Sequence, residues 1–95
     1  MTDSFLPSLE TVLRDRLAER PEGSYSLTLL TDSVTARRKV MEEAFEVCLE
    51  VGAEPVDVGR ATEEAADLVF HLLAALVGAG VPWAGVEAEL ERRHR

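Results

Sequence analysis

The sequence predicts an all-α protein, a helical bundle that a second copy of the chain completes. Its composition, 46% hydrophobic and 29% charged with only 5% aromatic, suits packed helices and not disorder. Apolar residues also recur at spacings of three and four along most of the chain. The length of 95 residues fits one domain, residues 1–95, and a chain this small buries a modest core, so we expect it to form oligomers.

A first helix is predicted from about residue 7 to residue 19. Pro7 and Ser8 suit its start, and Pro21 with Gly23 marks the turn that follows it. A short helix or turn should then cover residues 27–30. The apolar residues of the first helix recur at helical spacing: Leu6, Leu9, Val12, Leu13 and Leu17.

Two long helices and a shorter final one account for the rest of the chain. Asp32 or Ser33 can cap a helix that runs from about residue 34 to residue 51, where Gly52 ends it. Asp57 can cap the next helix, which continues to about residue 77, and Pro82 suits the first turn of a last helix. Two long helices joined by a short connector should pack antiparallel.

Charge and composition exclude several classes of partner. The formal net charge of -8, from 18 acidic and 10 basic residues, repels nucleic acid and anionic membranes. The start of the chain, MTDSFLPSLE, lacks the pattern of a secretory signal, and the apolar run at 65–81 is too short and polar to span a bilayer. Cys48 is the only cysteine, which excludes an internal disulfide. We expect the Cys48 side chain to be buried. A chain without a disulfide is consistent with a cytoplasmic protein.

The first long helix carries a stripe of acids in the segment KVMEEAFEVCLE, residues 39–50. At about 100° per residue its four glutamates and one lysine fall within an arc of roughly 100°. A solvated helix face is one interpretation. However, glutamates four residues apart repel one another by a few tenths of a kcal/mol, which a purely structural face would avoid. The stripe consists of Lys39, Glu42, Glu43, Glu46 and Glu50.

The second long helix presents Glu64, Asp67 and His71 on one face, because their spacings are three and four. The apolar residues around them leave little room for solvent, and an unpaired buried carboxylate costs several kcal/mol. A cation is therefore predicted. Asp67 could instead pair with Lys39 or an arginine, and His71 could be a core histidine that donates to a carboxylate one turn away.

The acids outnumber the nearby bases, so ion pairing alone does not neutralise them. Ligand sets made only of oxygen select hard cations, Mg²⁺ or Mn²⁺. Such an ion is most useful for a polyphosphate substrate, whose charge it offsets. Lys39, Arg37 and Arg38 precede the acids and are candidates for contacts with phosphate; each could also be an ordinary surface base.

Two acidic motifs carry a resemblance to a known group of enzymes. EEAFE (42–46), followed on the next helix by EAAD (64–67), resembles the E-E-x-x-E and E-x-x-D pattern of the all-α, MazG-type nucleotide pyrophosphohydrolases. Within that group, three segments are similar to the phosphoribosyl-ATP pyrophosphohydrolase family of histidine biosynthesis. These segments are RPEGSYSLTLL (20–30), RRKVMEEAFEV (37–47) and EAADLVFHLLAAL (64–76).

The resemblance implies a helical bundle of the all-α NTP pyrophosphatase type, assembled as a homodimer or higher homo-oligomer. The implied reaction is Mg²⁺-dependent hydrolysis of phosphoribosyl-ATP to phosphoribosyl-AMP and pyrophosphate, with Mn²⁺ as a second candidate ion. A cyclohydrolase on a separate chain would be a partner. The implied metal ligands are Glu42, Glu43, Glu46 and Asp67, with Glu64 at or just beyond ligand distance.

By the same resemblance, Lys39 faces phosphate, with Arg38 beside it, and either Glu43 or Glu46 acts as the general base. Two alternatives remain open at this point. One is a housekeeping pyrophosphatase that acts on canonical or damaged nucleoside triphosphates. The other is a noncatalytic helical dimerisation module whose acids form a solvated face or a regulatory cation site.

Overall fold

The computed structural model describes residues 4–95, and all regular secondary structure in this part of the chain is helical. The predicted all-α class is therefore confirmed, and each helix predicted from the sequence is present. Residues 1–3, the first three of the segment MTDSFLPSLE, lie outside the described range. The five helices are α1 (Leu6–Glu19), α2 (Tyr25–Thr31), α3 (Ser33–Val51), α4 (Val58–Gly78) and α5 (Trp83–Arg93).

Short polar side chains begin three of the helices. The Asp32 carboxylate accepts hydrogen bonds from the backbone N–H groups of Val34 and Thr35 at 3.1 and 3.2 Å. Asp57 accepts from the Arg60 N–H at 3.1 Å, and Ser24 caps α2. Because these contacts satisfy N–H groups that have no partner within the helix, they fix where each helix starts. Asp32, and not Ser33, is the cap of α3.

The helices α3 and α4 form an antiparallel hairpin, as predicted, and α1 and α2 pack against the C-terminal half of α4. Helix α2 crosses α4 closely, since a Cβ atom at Gly78 would lie 2.6 Å from the Leu30 carbonyl oxygen. Helix α5 is held to α1 by the Glu10 carboxylate, which accepts from the Trp83 N–H at 2.9 Å. The buried core consists of Leu13, Leu29, Leu30, Leu73, Ala74 and Val77.

The far end of the hairpin is not covered by the other helices. Consequently Ala65, Ala66 and Asp67, in the N-terminal half of α4, are exposed in the single chain. The prediction that apolar neighbours would keep solvent away from Asp67 is therefore wrong. Those neighbours are apolar, but α1, α2 and α5 pack at the opposite end of α4 and leave this end open.

Helix α3 turns its acids toward α4 and part of its apolar side toward solvent. Cys48 is exposed, so the prediction that it is buried is wrong. Its neighbours Met41 and Phe45 are 66% and 62% exposed. The reason is that α4 packs along one side of α3, and the α3 groups that meet it include Glu43 and Glu50.

Within residues 4–95 no single helix combines the length and apolarity that a bilayer crossing needs. Helices α4 and α5 reach that length and apolarity only when they are taken together, and the chain bends by 113° between them.

Candidate active site

The hairpin brings three carboxylates together from its two long helices. Glu43 of α3, Glu64 of α4 and Asp67 of α4 each place one oxygen within 4.8 Å of the others. Glu64 and Asp67 share a helix face because they are three residues apart, and the antiparallel packing sets the middle of α3 against that face. We call Glu43, Glu64 and Asp67 the acidic trio.

The acidic trio is an electrostatically unfavourable arrangement on its own. Burial raises the pKa of Glu64, and the nearby carboxylates of Glu43, Glu46 and Asp67 raise it further. Among the residues that the structure describes, neither Glu64 nor Asp67 has a lysine or arginine within ion-pair distance. The alternative in which Asp67 pairs with Lys39 is therefore wrong, because Lys39 binds Glu42 and Glu43.

The donor set fits a hard divalent cation. Three carboxylate oxygens that converge from two helices, without thiolate or imidazole ligands, match the preference of Mg²⁺ and Mn²⁺ for oxygen. A positive ion at this position would also reverse the repulsion that raises the pKa of Glu64. The acidic trio is thus the candidate metal centre of the chain.

The remaining glutamates of the α3 stripe have different surroundings. Glu46 lies close enough to contribute to the raised pKa of Glu64 but outside the trio. The Glu42 side chain is 51% exposed, and its carboxylate lies 3.2 Å from the Lys39 ammonium nitrogen. Glu50 binds the Arg60 guanidinium at 3.2 Å, which ties the end of α3 to the start of α4.

Of the three bases considered from the sequence, Lys39 adjoins the trio. Its Nζ atom lies 3.7 Å from Glu43 Oε1, and the hydrogen bond to Glu42 is the main cause of its raised pKa. The Arg37 side chain instead donates to the Ser33 carbonyl at 3.2 Å. Arg38 is exposed and, with Arg37, lines an apolar groove of about 660 Å³ between α3 and α4.

His71 is a buried core residue, one of the two alternatives considered from the sequence. Its Nδ1–H donates to the Asp67 backbone carbonyl at 2.7 Å, so its partner is a carbonyl and not the expected carboxylate. Its Nε2 atom lies at hydrogen-bond distance, 2.9 Å, from the Tyr25 hydroxyl oxygen. Tyr25 was not among the residues predicted for the site; its place in the PEGSY segment was the available signal.

The fold and the acidic trio together define a class of protein. An all-helical hairpin with carboxylates converging between its long helices is the arrangement that the resemblance to the all-α nucleotide pyrophosphohydrolases implied. The sequence profile described as "Phosphoribosyl-ATP pyrophosphohydrolase" matches residues 6–94. The chain belongs to the phosphoribosyl-ATP pyrophosphohydrolase family, a family of hydrolases, as its resemblance indicated.

Individual relatives match over nearly the whole chain. A "Phosphoribosyl-ATP pyrophosphatase" of Rhodopirellula baltica is 44% identical, over 98% of this chain and 81% of the relative. Another protein of that name, from Pyrobaculum neutrophilum, is 44% identical over 100% of both chains. A "Histidine biosynthesis trifunctional protein" of Neurospora crassa is 40% identical to this chain over the matched segment. That segment covers 93% of this chain and 10% of the relative.

Proposed function

We propose that this chain hydrolyses phosphoribosyl-ATP to phosphoribosyl-AMP and pyrophosphate, the second step of histidine biosynthesis, with Mg²⁺ as its cofactor. The observation that carries the proposal is the acidic trio, three convergent carboxylates of which two, Glu64 and Asp67, have no cationic partner in the described part of the chain. Membership of the family supplies the substrate. The whole chain, residues 1–95, acts as one pyrophosphohydrolase domain in a cytoplasmic protein.

The acidic trio would hold the divalent ion, with Glu46 and Glu42 as further ligand candidates. Glu46 is the nearer of the two to the trio, since its charge acts on Glu64. Glu42 would have to release Lys39 first. When bound, the ion supplies charge neutralisation and Lewis acidity toward a polyphosphate, which Mn²⁺ can also provide.

The other residues of the site would bind the phosphates and move a proton. Lys39 is the cation at the rim of the trio and would contact phosphate oxygens, which a chain of net charge -8 otherwise repels. Glu46 or Glu43 would take a proton from the attacking water as its oxygen bonds to phosphorus. The phosphoanhydride bond then breaks, and the pyrophosphate leaves with its electron pair. We place Arg38 at the outer edge of the site, where its side chain would have to reorient before it could contact a substrate.

We also propose that the working unit is a homodimer. Four apolar side chains on α3 face solvent in the single chain at spacings of seven, four and four residues, and therefore share one helix face. An apolar face of this kind is typical of an interface, and a chain of this length needs additional core. We assign the face to a second copy of the chain. Its members are Val34, Met41, Phe45 and Leu49.

The direct test is release of pyrophosphate from phosphoribosyl-ATP by the purified protein with Mg²⁺. Replacing Glu46 or Asp67 by Ala should abolish turnover while the thermal stability stays unchanged or rises, because both acids repel their neighbours. A parallel panel of nucleoside triphosphates tests the substrate. No release from phosphoribosyl-ATP above background at micromolar enzyme would contradict the proposal.

A further inference from the structure

Lys39 differs from the other cationic side chains of this protein. Of the 10 lysine and arginine residues in the sequence, Lys39 alone is a lysine. An arginine holds a carboxylate through a planar, two-pronged guanidinium, whereas a lysine ammonium is a compact point charge on a flexible stem. The cation beside the acidic trio is therefore of the type that changes partners more readily.

Two carboxylates hold Lys39, and one of them belongs to the acidic trio. The Lys39 Nζ atom lies 3.2 Å from Glu42 Oε2 and 3.7 Å from Glu43 Oε1. The Glu43 side chain is 13% exposed and that of Lys39 is 30% exposed, so this contact lies at the inner edge of the site. Glu43 is also the residue that α3 contributes to the trio, beside Glu64 and Asp67. Lys39 and a divalent ion in the trio therefore compete for the charge of one carboxylate.

The contacts of Lys39 are weak enough to exchange. Both glutamates follow it on the same helix, three and four residues later, and a lysine that precedes its glutamate is the less favourable order for such a pair. The Glu42 side chain is half exposed, where water screens the attraction. A divalent ion carries a larger charge to Glu43 than the ammonium does, so its attraction is the stronger at equal distance.

We propose that Lys39 is an exchangeable cation, which Glu43 holds until a divalent ion binds the acidic trio and which then binds a phosphate oxygen of the substrate. This inference rests on the proposed function, in which the trio binds metal and Lys39 binds phosphate. Because the two events share Lys39, each favours the other. The ion frees the ammonium for phosphate, and phosphate removes a competitor of the ion.

The first measurement is the affinity for Mg²⁺ alone, by calorimetry. Lys39→Met removes the competitor and should tighten Mg²⁺ binding on the order of fivefold, the scale of one ion pair. Arg60→Met is the matched control, since it removes a cation that binds a glutamate of α3 outside the trio, Glu50, at 3.2 Å. We expect it to change the affinity for Mg²⁺ by less than about twofold.

A conservative variant separates exchange from the mere presence of a positive charge. Lys39→Arg keeps the charge, but its guanidinium holds a carboxylate more firmly, so it should bind Mg²⁺ more weakly than the wild type does. A cation that acted only through its charge would leave the affinity of Lys39→Arg equal to that of the wild type. That result, or a Lys39→Met variant that binds Mg²⁺ as the wild type does, would overturn the inference.

The second measurement follows Lys39 itself. Because the chain has one lysine, labelling with ¹³C-lysine gives a single side-chain Cε signal in NMR. Saturation with Mg²⁺ alone should move this signal toward the position of lysine in a short, unstructured peptide, and added pyrophosphate should move it away again. Asp67→Asn removes a ligand and should suppress the first shift. A Lys39 signal that does not approach the free position when Mg²⁺ binds contradicts exchange.

Neither readout uses phosphoribosyl-ATP, so the two proposals fail separately. If Mg²⁺ and pyrophosphate produce these changes but phosphoribosyl-ATP is not hydrolysed, the proposed function fails and the exchange of Lys39 stands. If phosphoribosyl-ATP is hydrolysed while Mg²⁺ leaves the Lys39 signal in place, the exchange fails and the proposed function stands.

Discussion

Divalent metal should raise the thermal stability of this protein, and the acidic trio fixes how the effect responds to pH and to mutation. Three carboxylates converge within 4.8 Å, and an ion that binds them in the folded chain alone stabilises it by mass action. At a free Mg²⁺ concentration a hundredfold above its Kd, the gain is about 2.7 kcal/mol. For a chain of this size, that corresponds to a rise in Tm of roughly 10–20 °C.

The pH dependence follows from the raised pKa of Glu64. Without metal, the folded chain holds this proton more tightly than the unfolded chain does. The resulting stabilisation is fully present below the ordinary glutamate pKa, and it is lost as pH rises through the raised pKa of the folded state. Metal requires the ionised form, so the increase in Tm with Mg²⁺ should be larger at pH 7 than at pH 5.

Two neutralising substitutions make the measurement specific. Asp67→Asn removes one charge of the trio and should abolish most of the increase in Tm, while the metal-free variant is at least as stable as the wild type at pH 7. Glu50→Gln is the control, because Glu50 binds Arg60 and lies outside the trio. The assay is thermal denaturation followed by circular dichroism, at fixed protein concentration, with a Mg²⁺ titration. An equal metal response in both variants, or none in the wild type, would refute the reasoning.

Further predictions concern assembly and packing. Phe45→Glu should convert the dimer to monomers in light scattering, since Phe45 is 62% exposed on the proposed interface; Val12→Glu, on α1, is the control and should not. Leu73→Ala empties a fully buried position and should cost about 2–5 kcal/mol in urea denaturation, where a cost below 1 kcal/mol would contradict the core assignment. Gly78→Ala sets a Cβ 2.6 Å from the Leu30 carbonyl oxygen; a Tm equal to that of the wild type would show that α2 does not cross α4 this closely.

The sequence by itself determined that the chain is helical and located the two long helices, whereas it placed the start of α2 two residues late. Asp32 and Asp57 begin α3 and α4 through local hydrogen bonds, which need no tertiary partner. The shared face of Glu64 and Asp67 follows from helical geometry alone. The motifs that carry the family resemblance are equally local, which is why the family was recognised before the fold was known.

Only the tertiary structure decided which polar groups meet and which apolar groups are covered. Helical periodicity grouped Glu42 and Glu50 with the other acids, but antiparallel packing set Glu50 against Arg60 and left Glu42 with Lys39. It also left Cys48 exposed, although the pattern placed it on the apolar side. Periodicity defines the faces of one helix, whereas burial depends on how far the neighbouring helices extend along it, which the chain settles through contacts between residues distant in sequence.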